Sequence, residues 1–305
     1  MISRYEYEGV TWVDMENPTA EEVSDIAQEF SLGSLLPQEL LTPSLKPRVD
    51  LYPEFTYTVL HFPALRHTRG MSPTQEVDIV MGKNFFLTVH YETISAIYDF
   101  ERSFEAAMLL KRATGGTFHT GHILLELSER LYQSVENELE ALEDSVTMIE
   151  HKIFSGHERE MVIGISSASR ELLNQKRVLS THKEVLESSE QVGISLFGED
   201  FGNYFRAVSA FHFRVYSHAI ALADTIAELR DTNNALLSTR QNEIMKNLTV
   251  MTFVTAPLAV VTGIFGMSLR SIPLADNPNA FWIVLGIMAI LFSLLVTYFK
   301  KKKWF

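Results

Sequence analysis

Residues 248–267 read LTVMTFVTAPLAVVTGIFGM, and residues 281–299 read FWIVLGIMAILFSLLVTYF. Each run is about the twenty residues that a membrane-spanning helix needs, and neither contains a charged side chain. The buried helix of a soluble protein is the alternative interpretation for one such run. Two of them in succession favour two membrane spans, with the lipid bilayer as a partner of the chain.

The charges that flank these runs predict the topology. Four lysines, residues 300–303, follow the second run, whereas the segment between the runs holds one arginine and one aspartate. Basic residues are retained on the cytoplasmic side of membranes, so the C-terminus is predicted to be cytoplasmic. Two spans return the N-terminal part to the same side. We therefore expect a multi-pass protein of the cell (inner) membrane with both termini in the cytoplasm.

Charge and composition narrow the function classes. Residues 241–305 carry six basic and two acidic side chains, a net charge of +4, so the total of −12 leaves −16 on the remainder. The strongly negative charge of residues 1–240 argues against nucleic acid as a partner. The chain has no cysteine, which excludes disulfides and thiolate metal sites. No phosphate-binding glycine loop, catalytic triad or paired-carboxylate motif stands out, so neither an enzyme nor an organic cofactor is expected.

The part before the spans is predicted to be α+β. Residues 1–93 combine strand patterns (YEYEGVTWVDM, FTYTVLHF, and VDIVMGKNFFLTVHY as two strands about a turn) with a capped helix in NPTAEEVSDIAQEF. Later residues show helical spacing only, with helices expected over the stretch ending at KIF and over about 158–189. The predicted divisions are an α/β domain (1–93), a helical region (94–203), a stalk helix (204–247), the first span (248–268), an external loop (269–280), the second span (281–299) and a basic cytoplasmic tail (300–305).

No strong helix breaker occurs from about Tyr204 to Pro257, which lies inside the first span. The stalk helix is therefore expected to continue into the membrane without interruption. One face of it, sampled at alternating steps of three and four, is small or weakly polar. Such a face indicates either close helix packing or the wall of a water-containing pore shared by several copies. Its members are Asn242, Met245, Thr249, Thr252, Ala256, Ala259, Gly263 and Gly266.

Residues 242–273, NEIMKNLTVMTFVTAPLAVVTGIFGMSLRSIP, together with the two spans and the terminal KKKKW, resemble the CorA family of divalent-cation transporters. WVDMENPTAEEV and PRVDLYPEFTYTVLHFP resemble its N-terminal domain. The resemblance implies a homopentameric funnel in which the first spans line the pore, and Mg²⁺ as the transported ion, with Co²⁺, Ni²⁺ or Zn²⁺ as further candidates. It also implies that the pore is lined by Asn242, Met245, Leu248, Thr252, Ala256 and Ala259, so that Leu248 stands where the stripe has Thr249.

The outer mouth of the family carries Gly-Met-Asn, and the matching residues here are Gly266, Met267 and Ser268. Mg²⁺ gives up its water reluctantly, and asparagine amides can accept hydrogen bonds from that water. A serine hydroxyl is shorter and also donates. We expect Ser268 and Asn242 to hold a hydrated cation indirectly, and Arg270 to place a positive charge near the mouth. Altered selectivity or weak transport follows, unless Ser268 is a tolerated variant and Arg270 faces lipid headgroups.

Two other functions remain open from the sequence. One is a transport-impaired, membrane-anchored member that acts as a sensor or scaffold, and the other is a Zn²⁺-selective, proton-coupled transporter. By the resemblance, Arg214 and Ser217 occupy stalk positions where many members carry acids that bind a regulatory Mg²⁺, which predicts that this site is absent.

Histidines offer weaker signals. The pair His119 and His122 could bind a transition metal, but a capping or solvated role is favoured. His212 and His218, six residues apart, do not share a helix face well.

Overall fold

The protein is described here from a computed structural model, which describes residues 1–64, 74–109, 118–267 and 279–302. The chain divides into two compact units, Met1–Arg230 and Asp231–Phe305. The first is built on a six-stranded sheet of order β1-β2-β6-β5-β4-β3, in which β2 and β6 are parallel and the other neighbours antiparallel. The strands are β1 (Ile2–Tyr7), β2 (Val10–Glu16), β3 (Arg48–Leu51), β4 (Phe55–Pro63), β5 (Thr74–Gly82) and β6 (Phe85–His90).

The stretch YEYEGVTWVDM, expected to be one strand, is a hairpin of β1 and β2. Glu8 and Gly9 both have positive φ, 48° and 84°, which gives a tight two-residue turn. Such turns match the natural twist of antiparallel strands, so Tyr7 pairs directly with Val10. The predicted turn between the strands of VDIVMGKNFFLTVHY is confirmed, since β5 ends at Gly82 and β6 begins at Phe85.

Successive residues of β2 point to opposite faces of the sheet, and helices cover both faces. Val13 belongs to a core that includes Val23 and Ile26 of α1 (Ala20–Glu29) and Leu36 of α2 (Leu36–Glu39). On the other face, Trp12 contacts two rings of α3 (Ser95–Leu109), with ring centroids 4.7 Å and 5.4 Å away. These rings belong to Phe100 and Phe104.

Three helices follow: α4 (Thr120–Phe154), α5 (Glu158–Ser180) and α6 (His182–Phe197). The long helix ending at KIF is confirmed, but the helix expected over about 158–189 is wrong, because the chain breaks at Thr181. There the Ser180 and Thr181 hydroxyls donate to carbonyl oxygens three residues earlier, at 2.7 Å and 2.8 Å. Hydroxyls that take backbone acceptors compete with the regular helical pattern.

The break brings His182 into the interior, where it is fully buried. Its Nε2 donates to the carbonyl of His61 at 2.6 Å, and the Tyr132 hydroxyl donates to its Nδ1 at 2.8 Å. Burial lowers the pKa of His182 to about 3, so the ring is neutral. His182 thereby joins the sheet to α4 and α6 without introducing a buried charge.

After a short 3₁₀ turn at Glu199–Phe201, a single helix, α7 (Gly202–Gly266), runs for 65 residues, about 98 Å. The predicted continuity of the stalk helix with the first span is confirmed. Near its start α7 lies parallel to α4, since Tyr204 contacts His122 and His218 contacts Glu136, two pairs with the same offset of 82 residues. The last helix is α8 (Ala280–Lys301).

The membrane-facing segment of α7

In the part of the chain that the structure describes, α7 and α8 are the two helices long and apolar enough to cross a membrane, judged by length and composition. Within the second unit they pack through a small apolar cluster. Val250 and Val254 of α7 are buried there with Phe299 of α8, and Leu295 packs against them. This contact defines the side of α7 that faces α8.

The candidate stripe lies on the other side of α7. At 100° per residue, Thr252, Ala256 and Ala259 are roughly 140–180° around the helix from the edge formed by Val250 and Val254. All the candidates in the described chain are exposed except Thr249, which is half-buried. The exposed ones are Asn242, Met245, Leu248, Thr252, Ala256, Ala259, Gly263, Gly266 and Met267. The structure thus brings these residues together on a surface turned away from the chain's own second span.

At one position the helical spacing selected Thr249, whereas the family resemblance selected Leu248. Leu248 is 53% exposed, whereas Thr249 is half-buried, so the helix turns Leu248 further from the α8 side. This exposure agrees with the position that the resemblance favours.

The two glycines of the stripe are not required by contacts among the described residues. A Cβ atom built on Gly263 or on Gly266 meets none of those atoms within 4 Å. Gly266 is the last residue of α7, where glycine is common. Glycine inside a helix weakens it by roughly 0.5–1 kcal/mol relative to alanine, so Gly263 needs a reason that the described residues do not supply. Close approach of another helix or an open lumen each supplies one.

Threonine hydroxyls on this part of α7 all donate to the helix backbone. Thr249 donates to the Met245 carbonyl at 2.7 Å, and Thr252 donates to the Leu248 carbonyl at 2.9 Å. Thr255 does the same to the Met251 carbonyl at 2.9 Å. Because each hydroxyl hydrogen is already used, these side chains present only oxygen lone pairs to their surroundings. Such acceptors suit a cation or the outward-pointing hydrogens of its water shell.

The predicted mouth is described only in part. The helix α7 ends at Gly266, and the Met267 amide donates to the Ile264 carbonyl at 3.3 Å. Ser268 and Arg270 lie outside the described residues, so their predicted roles rest on the sequence.

Arg214 is exposed on α7, and its guanidinium lies 5.8 Å from the centre of the Phe211 ring. Among the described residues of the single chain it forms no ion pair. Ser217, three residues on, is half-buried. A basic side chain thus stands on an open surface at the position where the resemblance implies an acid.

The histidines considered as weaker candidates have structural roles. His119 and His122 form a reciprocal cap at the start of α4, which confirms the capping interpretation. His212 is buried and donates from Nε2 to the Leu179 carbonyl at 2.8 Å, while His218 faces Glu136, so the pair does diverge. Across the described ranges, no three histidine, aspartate or glutamate side chains are arranged to hold a metal.

Sequence reasoning missed two buried carboxylates in the sheet, although each interrupts an apolar strand pattern. Asp14 pairs with His90, with Oδ2 and Nε2 3.0 Å apart. Asp78 accepts hydrogen bonds on Oδ2 from the hydroxyls of Tyr57 at 3.1 Å and Tyr91 at 3.2 Å. Burial, with the nearby Glu76 carboxylate, raises the pKa of Asp78 to about 8. The sequence signal for each buried carboxyl group was an acidic residue inside an apolar strand segment, WVDM for Asp14 and EVDIVM for Asp78.

Comparison with known proteins agrees with this architecture. The chain is 25% identical to the cobalt/magnesium transport protein CorA of Thermotoga maritima, over 96% of this chain and 83% of that protein. It is 24% identical to the protein of the same description from Methanocaldococcus jannaschii, over 96% and 90% of the two chains. The fold matches the complete structure of the CorA magnesium transporter from the latter organism with a TM-score of 0.83, over 97% of this chain and 92% of that one, at 22% identity.

The family match extends along almost the entire sequence and includes the sheet, the long helix and both apolar helices. Residues 7–301 match the family described as CorA-like Mg²⁺ transporter protein. The chain therefore belongs to the family of CorA-like Mg²⁺ transporter proteins.

Proposed function

We propose that five copies of this chain form a pore through the cell (inner) membrane, with both termini in the cytoplasm, and that hydrated divalent cations pass along the exposed face of α7. The family consists of divalent-cation transporters of the membrane and not of enzymes. Mg²⁺ is the proposed principal ion, with Co²⁺, Ni²⁺ and Zn²⁺ as further candidates. Neither an organic cofactor nor nucleic acid has a part in the proposal.

The observation that carries the proposal is the exposed, small and weakly polar face of α7 opposite the α8 contact. A single helix cannot enclose a path, so this face needs like partners. Its residues with hydrogen-bonding side chains, chiefly Asn242 and Thr252, offer acceptor oxygens, and the Thr252 hydroxyl hydrogen is held by the Leu248 carbonyl. Acceptors of this kind can bind the water shell of a dication that dehydrates reluctantly.

Three further contributions to the path are proposed. Met245 and Leu248 would form an apolar constriction on its cytoplasmic side. Ser268 would meet the hydrated ion at the outer mouth, and Arg270 would add a positive charge there. The Ser268 assignment is supported by the resemblance of residues 266–268 to the family's Gly-Met-Asn sequence, and the Arg270 assignment by its position two residues further along the chain.

The test uses two threonines that make the same backbone bond. Purified protein is reconstituted in liposomes, and Mg²⁺ uptake is compared for Thr252→Val on α7 and Thr297→Val on α8, where the Thr297 hydroxyl donates to the Ser293 carbonyl at 2.7 Å. Valine keeps the shape of threonine and removes its oxygen. We expect Thr252→Val to reduce uptake by about tenfold, which corresponds to about 1.4 kcal/mol for one hydrogen bond in the path. Thr297→Val, the control on the other helix, should stay within about twofold.

Equal effects of the two substitutions would contradict the assignment of the path to this face. An intact pentamer that moves none of the four ions would instead favour the sensor or scaffold. Uptake of Zn²⁺ above the other ions, and only with a pH gradient, would favour the proton-coupled transporter.

A further inference from the structure

An aromatic and histidine cluster joins the start of α4 to the α6–α7 connection. The rings of His119 and His122 lie 4.2 Å apart between centroids. Phe118 stacks on His122 at 5.3 Å, while Phe201 and Tyr204 lie 4.7 Å and 4.9 Å from His119. All these residues belong to the first compact unit.

The hydrogen bonds of His119 fix its protonation state. The Gly121 amide donates to His119 Nδ1 at 3.2 Å. A backbone N–H can only donate, so Nδ1 must carry a lone pair and the ring must be neutral. Histidine here occupies the N-cap position, which asparagine, aspartate, serine or threonine usually fills.

His122 completes the cap and ties it to α7. The His119 amide approaches His122 Nδ1 at 3.3 Å, and the Tyr204 hydroxyl lies 3.2 Å from His122 Nε2. Tyr204 belongs to the first turn of α7. The two histidines therefore cap a 35-residue helix and also bind the beginning of the stalk helix.

Protonation acts against this arrangement in three ways. A proton on His119 Nδ1 would place two donors face to face at Gly121. It would also put a positive charge at the positive end of the α4 dipole. Two charged rings 4.2 Å apart between centroids would repel each other.

The surroundings leave His119 open to titration. Both histidines are half-buried, so protons can reach them from solvent. The charged and titratable groups that face the pair in the described residues are Asp200, before α7, the Tyr204 hydroxyl, and Glu8, which accepts from the Phe118 amide at 3.3 Å. Burial and the neighbouring His122 lower the pKa of His119, with Asp200 acting in the opposite direction.

We propose that His119 and His122 form an acid-sensitive latch, which holds the start of α4 against the first turn of α7 at neutral pH and opens when the cytoplasm is acidified. The direction of the pH dependence follows from the neutral His119 ring in the closed state. Because the opened histidine binds a proton more readily than the closed one, the latch is fully stabilised above the ordinary histidine pKa of 6.5 and is lost as pH falls from there through the lower pKa of His119 in the closed state.

Hydrogen exchange of the full-length protein in detergent tests the latch. The protection factors of amides in the first two turns of α4, residues 121–127, are compared at about pH 7.5 and about pH 5.0, after correction for the intrinsic exchange rate. Loss of one capping interaction corresponds to about fivefold in the opening equilibrium. We expect protection to fall by at least that factor in the unmodified protein.

The informative variant is His119→Asn with His122→Gln, because both replacements are good capping residues that do not titrate in this range. It should keep its protection within about twofold at both pH values. The matched control is His151→Asn with His157→Gln, near the other end of α4, which should retain the pH response of the unmodified protein.

Constant protection in the unmodified protein would overturn the proposal. An equal fall in the Asn/Gln variant would do so too, because the acid response would then arise elsewhere. If that variant does not fold, His119→Asn alone takes its place: it too should keep its protection within about twofold at both pH values, and a fall equal to that of the unmodified protein would overturn the proposal.

Discussion

The ion pair of Asp14 and His90 gives the sharpest test of the first compact unit. Asp14 Oδ2 lies 3.0 Å from His90 Nε2, and the Glu92 carbonyl lies 2.7 Å from His90 Nδ1. Both ring nitrogens face oxygen acceptors, so both donate and the ring is an imidazolium. Thr88 donates to Asp14 Oδ1 and accepts from the indole of Trp12 at 3.1 Å.

The perturbation is His90→Phe, which keeps an aromatic ring and removes both donors. Only 7% of the Asp14 side chain and 4% of the His90 side chain are exposed, so the carboxylate would stay buried without its partner charge. Breaking a buried pair in this way costs about 3–5 kcal/mol, a large part of the 5–15 kcal/mol that typically holds a domain. Replacing both partners, as in Asp14→Leu with His90→Phe, should recover most of that loss.

Trp12 supplies the assay, because it is fully buried and bonded to the same network. With Trp282 and Trp304 replaced by phenylalanine, urea unfolding of the full chain in detergent can be followed by Trp12 fluorescence alone. The midpoint and slope give the change in unfolding free energy. The exposed His151→Phe is the control and should change stability by less than about 0.5 kcal/mol.

The pH dependence has a definite sign. Hydrogen bonding and charge attraction from Asp14 outweigh burial and raise the pKa of His90 above 6.5. The pair's contribution is therefore fully present below 6.5 and is lost as pH rises through the higher, folded-state pKa. Asp78, with its pKa of about 8, also makes stability fall with rising pH, but it does so equally in His90→Phe and cancels in the difference.

As pH rises above 6.5 and through the folded-state pKa of His90, the stability difference between the unmodified protein and His90→Phe should therefore shrink. A difference that stays constant over this range would refute the charged state assigned to His90. A loss below about 1 kcal/mol at pH 6.5 would refute the stated strength of the pair.

Further predictions concern the assembled protein. Mass measurement in detergent should give a homopentamer, and a monomer or dimer alone would count against a shared path along α7. Arg270→Glu should raise divalent-cation uptake, most clearly at low ionic strength, because charge effects at the mouth are screened over about 8 Å at 0.15 M salt. Unchanged uptake and salt dependence would place Arg270 away from the ion path. Ser268→Asn should shift preference toward Mg²⁺ at any salt concentration, as seen in competition between Mg²⁺ and Co²⁺. With Arg214 exposed on α7, millimolar Mg²⁺ should protect the first compact unit little against proteolysis, and strong protection that is lost on mutating nearby acids would reveal a regulatory site elsewhere.

Several features of the site could be predicted from the sequence because they depend on local order along the chain. The spacing of small residues after Asn242 placed the candidates on one helix face, and the structure shows that face exposed. Which side α8 covers could not be predicted, because it depends on the contact of Val250 and Val254 with Phe299. The difference in exposure between Leu248 and Thr249 depends on that contact as well.

The two apolar runs, the long uninterrupted helix and the resemblance to the family could be predicted from the sequence, because length, hydropathy and the absence of helix breakers are properties of consecutive residues. The charge states of the polar side chains depend instead on contacts between distant parts of the chain. Asp14 and His90 are 76 residues apart in the chain, and His182 meets the carbonyl of a residue 121 positions away. Whether a histidine is charged or neutral depends on the acceptors and donors that the fold brings to its two nitrogens, and local sequence does not contain that information.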